Sequence, residues 1–99
     1  MNEFLKQTVK IGSSQGLHAR PASLLVKLAG NFESEITLIK DGQSSNAKSM
    51  MSVLMLAAEG GSTVEIHVTG KDAEKAMKAV SAFLTGDQDA PEGRFSEEN

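Results

Sequence analysis

Thr63-Val64-Glu65-Ile66-His67-Val68-Thr69 alternates polar and apolar side chains without a break. In an extended chain successive side chains point to opposite faces, so Val64, Ile66 and Val68 share one face and Glu65, His67 and Thr69 the other. A strand with one dry and one wet face belongs to an antiparallel sheet covered on one side only. The rest of the chain fits that sheet. Val9 and Ile11 repeat two apart and predict a strand near 4–11; Ile36 and Leu38 predict another. Asp41-Gly42 is a two-residue hairpin signal that turns residues 43–46 back antiparallel. Between these strands the spacing becomes helical: Ala22, Leu25, Val26 and Ala29 with Gly30 as C-cap; Met50, Val53, Leu54 and Ala57, ended by Gly60-Gly61; and Ala73, Ala76, Met77, Val80 and Leu84 behind Asp72 as N-cap. The order β-α-β-β-α-β-α predicts a two-layer α+β domain, a four-stranded antiparallel sheet with three helices on one face.

Composition sets the outer limits. The 99 residues have a formal charge of −3, no Cys, no Trp and no Tyr. The charge argues against nucleic-acid binding, and the lack of Cys excludes disulfides, thiol catalysis and Cys-ligated zinc. No apolar run approaches the ~20 residues of a membrane span, and Met1-Asn2-Glu3 does not open a signal peptide, so a cytoplasmic location is expected. The charge is unevenly spread. Residues 1–85 hold nine basic and eight acidic side chains, a net +1, with Arg20, Lys27 and Lys48 near two helix starts. Residues 86–99 carry a net −4 and few apolar groups, and are expected to form a disordered acidic tail beyond a single domain of residues 1–85.

The chemistry concentrates in Gly16-Leu17-His18-Ala19-Arg20-Pro21-Ala22-Ser23. His18 follows a glycine-flanked loop and precedes a helix. Pro21 fits only the first turn, where its missing N–H costs nothing. The first amides of a helix have no intrahelical partner and carry partial positive charge, an arrangement that binds phosphate. Arg20 adds a guanidinium fork suited to phosphoryl oxygens. His18 as a plain helix cap and Arg20 as a solvated charge are the ordinary alternative.

This string closely resembles the active-site motif of the HPr family of histidine-containing phosphocarriers, over roughly Phe4 to Leu84. The resemblance implies that family's open-faced β-sandwich. It also implies that His18 takes a phosphoryl group on Nδ1 from Enzyme I, which draws it from phosphoenolpyruvate, and passes it to a sugar-specific Enzyme IIA. Arg20 aligns with the phosphate-contacting arginine, and Ala19 and Pro21 with the helix start. Family members without carrier activity lack the histidine that this chain keeps.

A second stretch, Asn46-Ala47-Lys48-Ser49-Met50-Met51-Ser52-Val53-Leu54-Met55, places Ser49 in an N-cap position before an apolar run. It resembles the family's regulatory site, which implies phosphorylation of Ser49 by HPr kinase/phosphorylase and a link to a transcriptional regulator. Ser52 departs from the glycine common in kinase-regulated members. Residues 50, 53, 54 and 57 define one helix face and 51, 55 and 58 an adjoining one, so some methionines are expected in solvent, where Met suits several partners. By resemblance Lys48, Met50, Met51 and Leu54 contact Enzyme I and Enzyme IIA.

His67 and Glu65 read as surface polar groups, and Ser13, Ser14 and Ser23 as loop and helix-start residues. Gly12 to Gly16 lacks the GKS/T of a nucleotide-binding loop. No cofactor and no metal are expected, and the carrier is expected to be a monomer. Two other functions compete: a regulatory phosphoprotein of the nitrogen-related branch, and an interaction module or corepressor switched at Ser49.

Overall fold

The computed structural model describes residues 3–12 and 16–86. Ser13, Ser14 and Gln15 of the predicted glycine-flanked loop, and the predicted tail from Asp87 on, lie outside the described residues. The elements are β1 (Glu3–Lys10), α1 (Ala19–Ala29), β2 (Glu35–Lys40), β3 (Gln43–Asn46), α2 (Met50–Leu56), β4 (Thr63–Gly70) and α3 (Ala73–Thr85). The four strands form one sheet in the order β1-β4-β2-β3, with every neighbouring pair antiparallel.

β4 lies inside the sheet, and its alternation decides the layering. Val64, Ile66 and Val68 are fully buried, facing Val9, Leu38 and Ile36 across the register and the helices above. His67 stands opposite Lys6 and Thr37 on the uncovered face. Leu25, Val80, Leu84 and Val53 bring the three helices onto the dry face. Burying each such Leu, Ile or Val contributes about 1.5–3 kcal/mol. The Asp41-Gly42 turn has φ of 51° and 81°, both positive, as the tight hairpin between Lys40 and Gln43 requires.

Two local expectations are corrected. The second helix does not run to Gly60-Gly61: it stops at Leu56, and Ala57 takes a left-handed C-cap conformation with its N–H on the Leu54 carbonyl. Its buried stripe is therefore Val53 and Leu56 with half-buried Met50, while Leu54 turns outward. Asp72 occupies the N-cap position of α3 but its side chain does not cap. Instead the carboxylate reaches the α1–β2 loop, accepting from Glu33 N–H, Ser34 N–H and the Ser34 hydroxyl. Gly30 is the C-cap of α1, as expected, in an ordinary right-handed conformation that does not use glycine's freedom.

Candidate functional site

The segment that carries His18 is fixed two residues earlier. Leu17 is buried, and its N–H donates to the Ala58 carbonyl at 2.8 Å. Gly16 has φ +75° and lies so close to the residues after α2 that a Cβ there would fall 2.3 Å from the Ala58 oxygen and 2.7 Å from Glu59 Cα. Only glycine fits both the angle and the space.

His18 then takes the N-cap position of α1, in extended conformation and exposed. Its carbonyl accepts the first helical bond, from Ala22 N–H at 2.8 Å, while its ring makes no cap hydrogen bond. The helix is thus held by backbone, and the imidazole is not spent on ending it. The amides of Ala19 and Arg20 precede that first bond, and Pro21, buried in the first turn, supplies none. Two N–H groups at the positive helix end and the exposed Arg20 side chain therefore belong to the same turn as His18. A ring nitrogen in that setting can attack phosphorus while the helix end and guanidinium meet the phosphoryl oxygens.

Ser49 is the N-cap of α2, and its hydroxyl accepts from Ser52 N–H at 3.3 Å. The two helices run in opposite senses. Leu17, before α1, bonds to Ala58, after α2, whereas the Lys48 ammonium, before α2, donates to the Phe32 carbonyl, after α1, at 2.6 Å. His18 is therefore near the end of α2 and Ser49 at its start. Lys27, in the last turn of α1, lies toward the Ser49 end.

The outer face of α2 runs between the two sites. Met51 is 67% exposed, Leu54 37% and Met55 64%. Met50 is half-buried against the core and Lys48 is half-buried with its ammonium engaged, so both show less surface than the sequence suggests. Met55 was not singled out as a contact; its signal was the four-residue spacing from Met51. Away from this region, His67 Nε2 lies 2.9 Å from Glu65 Oε1, with the Phe4 ring edge-on at 5.5 Å. Among the described residues no group of three His, Cys, Asp or Glu is placed to hold a metal, and no helix is long and apolar enough to cross a membrane.

Comparison with known proteins identifies a family. A family model described as the PTS HPr component phosphorylation site matches residues 5–86. The phosphocarrier protein HPr of Cupriavidus necator is 42% identical over 81 residues, covering 82% of this chain and 91% of that protein. The crystal structure of an HPr from Bacillus anthracis superposes with a TM-score of 0.80 at 40% identity, covering 82% of this chain and 96% of that one. A structure of Crh from Bacillus subtilis, described as a swapped, intertwined dimer, has a TM-score of 0.70 at 37% identity over 82% of this chain and 93% of its own. The chain belongs to the HPr family, the phosphocarriers of the phosphotransferase system.

Proposed function

We propose that this protein carries a phosphoryl group on His18 from Enzyme I to a sugar-specific Enzyme IIA in the cytoplasm. The observation that carries the proposal is the exposed imidazole at the N-cap of α1, which the helix does not use. A ring nitrogen lone pair, on Nδ1 by the family resemblance, attacks phosphorus on the phosphohistidine of Enzyme I. A new N–P bond forms as the old one breaks, and the electron pair returns to the donor imidazole. The same step in reverse roles loads Enzyme IIA. The amides of Ala19 and Arg20 and the Arg20 guanidinium hold the oxygens, so positioning and charge do most of the work. Met51 and Leu54, with Met55, offer partners an adaptable apolar surface beside the site, and Met50 and Lys48 border it.

Incubation with Enzyme I and phosphoenolpyruvate tests the proposal: an acid-labile, base-stable label is expected, and equal labelling of His18→Ala would overturn it. Transfer to nitrogen-type Enzyme IIA alone would move the protein to that branch. One small face serving successive partners suits a monomer, and light scattering distinguishes that from a swapped dimer like the one described for Crh.

The likeness to Crh favours a second role at Ser49. Phosphorylation there by HPr kinase/phosphorylase would add about −1.5 to −2 charge. The added charge sits at the start of α2 and beside the docking face, altering partner choice, including a transcriptional regulator, without refolding. Pull-downs with Ser49→Asp and Ser49→Ala test this; identical partners would remove Ser49 as a switch.

A further inference from the structure

The segment from Asp87 to Asn99 has no part in the function above. It holds Asp87, Asp89, Glu92, Glu97 and Glu98 against Arg94, a net −4, with a single aromatic, Phe95. The position of Gly86, which precedes it, is well defined. Gly12 N–H donates to the Leu84 carbonyl at 2.8 Å, and a Cβ on Gly12 would meet the Thr85 and Gly86 oxygens at 2.2 and 2.7 Å. Gly86 is thus packed against the residue that opens the loop to His18. Next to it Ile11 bonds to both Gly61 and Ser62, and Ser62 in turn receives the Glu59 N–H. Gly86, the residue before the segment, therefore lies at the end of the molecule where α2 terminates and His18 stands.

The 13 residues after Gly86 span at most about 43–47 Å, and the longest extent of the body is 37 Å. The outer face of α2 is within that reach. It presents Met51, Leu54 and Met55 and no charge, with the exposed cations Arg20 and Lys27 on the adjacent α1. A peptide that covers such a surface needs an apolar anchor set among carboxylates, and residues 87–99 have that composition.

We propose that residues 87–99 dock on the α2 face of their own chain, Phe95 against the methionines and the carboxylates toward Arg20 and Lys27, and so compete with partner proteins. The competition rests on the docking role proposed for this face. A tethered competitor acts at an effective concentration in the millimolar range, so even a weak contact raises the apparent KM of a partner by about two- to fivefold.

The test uses the full chain with methyl-labelled methionine. It is compared with a variant carrying Phe95→Ala, Asp87→Asn, Asp89→Asn, Glu92→Gln, Glu97→Gln and Glu98→Gln. The Met51 and Met55 methyl signals are expected to differ between the two proteins at low salt, while buried Met77 coincides. The difference should shrink at 1 M salt, where screening acts within about 3 Å. Coincident Met51 and Met55 signals would overturn the proposal, as would a difference that grows with protein concentration, which would place the segment on a second copy. In phosphoryl transfer from Enzyme I, the variant is expected to show a KM lower by about two- to fivefold at unchanged kcat; an unchanged KM beside shifted methyls would overturn the competition. If neither protein accepts phosphate, the carrier role fails, and the methyl signals still decide the docking.

Discussion

Replacing Gly16 with Ala tests how tightly the His18 segment is positioned. At φ +75° an L-residue pays about 1–2 kcal/mol. The added Cβ would also sit 2.3 Å from the Ala58 oxygen and 2.7 Å from Glu59 Cα, backbone atoms that no side-chain rotation moves aside. Overpacking of this kind costs a further ~1–3 kcal/mol, for a total of about 2–5 kcal/mol. Gly61→Ala is the control: its φ is +83° with nothing within 4 Å of the new Cβ, so it should lose only the conformational ~1–2 kcal/mol. Urea denaturation of both variants isolates the crowding cost. In a domain of this size each kcal/mol lowers Tm by about 4–8 °C, so Gly16→Ala should melt well below Gly61→Ala. If it folds by shifting the segment, phosphoryl acceptance should slow by on the order of 10², as an ångström of misplacement does. Stability within about 0.5 kcal/mol of Gly61→Ala, with acceptance unchanged, would refute the fixed-segment reasoning.

Other perturbations probe the frame around the site. The Ser34 hydroxyl first, then the Glu33 amide, hold the Asp72 carboxyl below its ordinary range. A lowered folded-state pKa stabilises the fold above the usual carboxylate range and loses that contribution as pH falls through the lowered value. Asp72→Asn should therefore lower Tm at neutral pH, with the gap to wild type closing as acid protonates Asp72; a gap independent of pH would contradict the pairing. Ser45 is buried with its hydroxyl unpaired among the described residues, so Ser45→Ala should be neutral or stabilising by up to ~1–3 kcal/mol in urea denaturation. Ser49→Ala should cost about 0.5–1 kcal/mol by loss of the Ser52 cap, and Ser49→Asp should restore it in the same assay.

Periodicity made most of the fold legible. The β4 alternation, the Asp41-Gly42 turn and the starts of α1 and α2 all depend on residues within one or two turns of each other, where local geometry dominates. What sequence missed depends on distance along the chain. Asp72 looks like a cap because its local setting is one, yet its carboxylate is claimed by Ser34, 38 residues away. The end of α2 was misplaced because Ala57 adopts a conformation usually left to Gly or Asn, and that shift exchanged Leu54 for Leu56 in the buried stripe. His18 was readable because loop, histidine and Pro21 are contiguous. The anchoring of Gly16 and Leu17 to Ala58 was not, since no local pattern joins them.

The two histidines make the central claim directly measurable. After phosphorylation by Enzyme I and phosphoenolpyruvate, ring nitrogen spectra should show one phosphoryl group per chain on His18, with His67, paired to Glu65 on the uncovered face of the sheet, unchanged. A label on His67, or on any residue other than His18, would contradict the assignment of the α1 N-terminus as the carrier site.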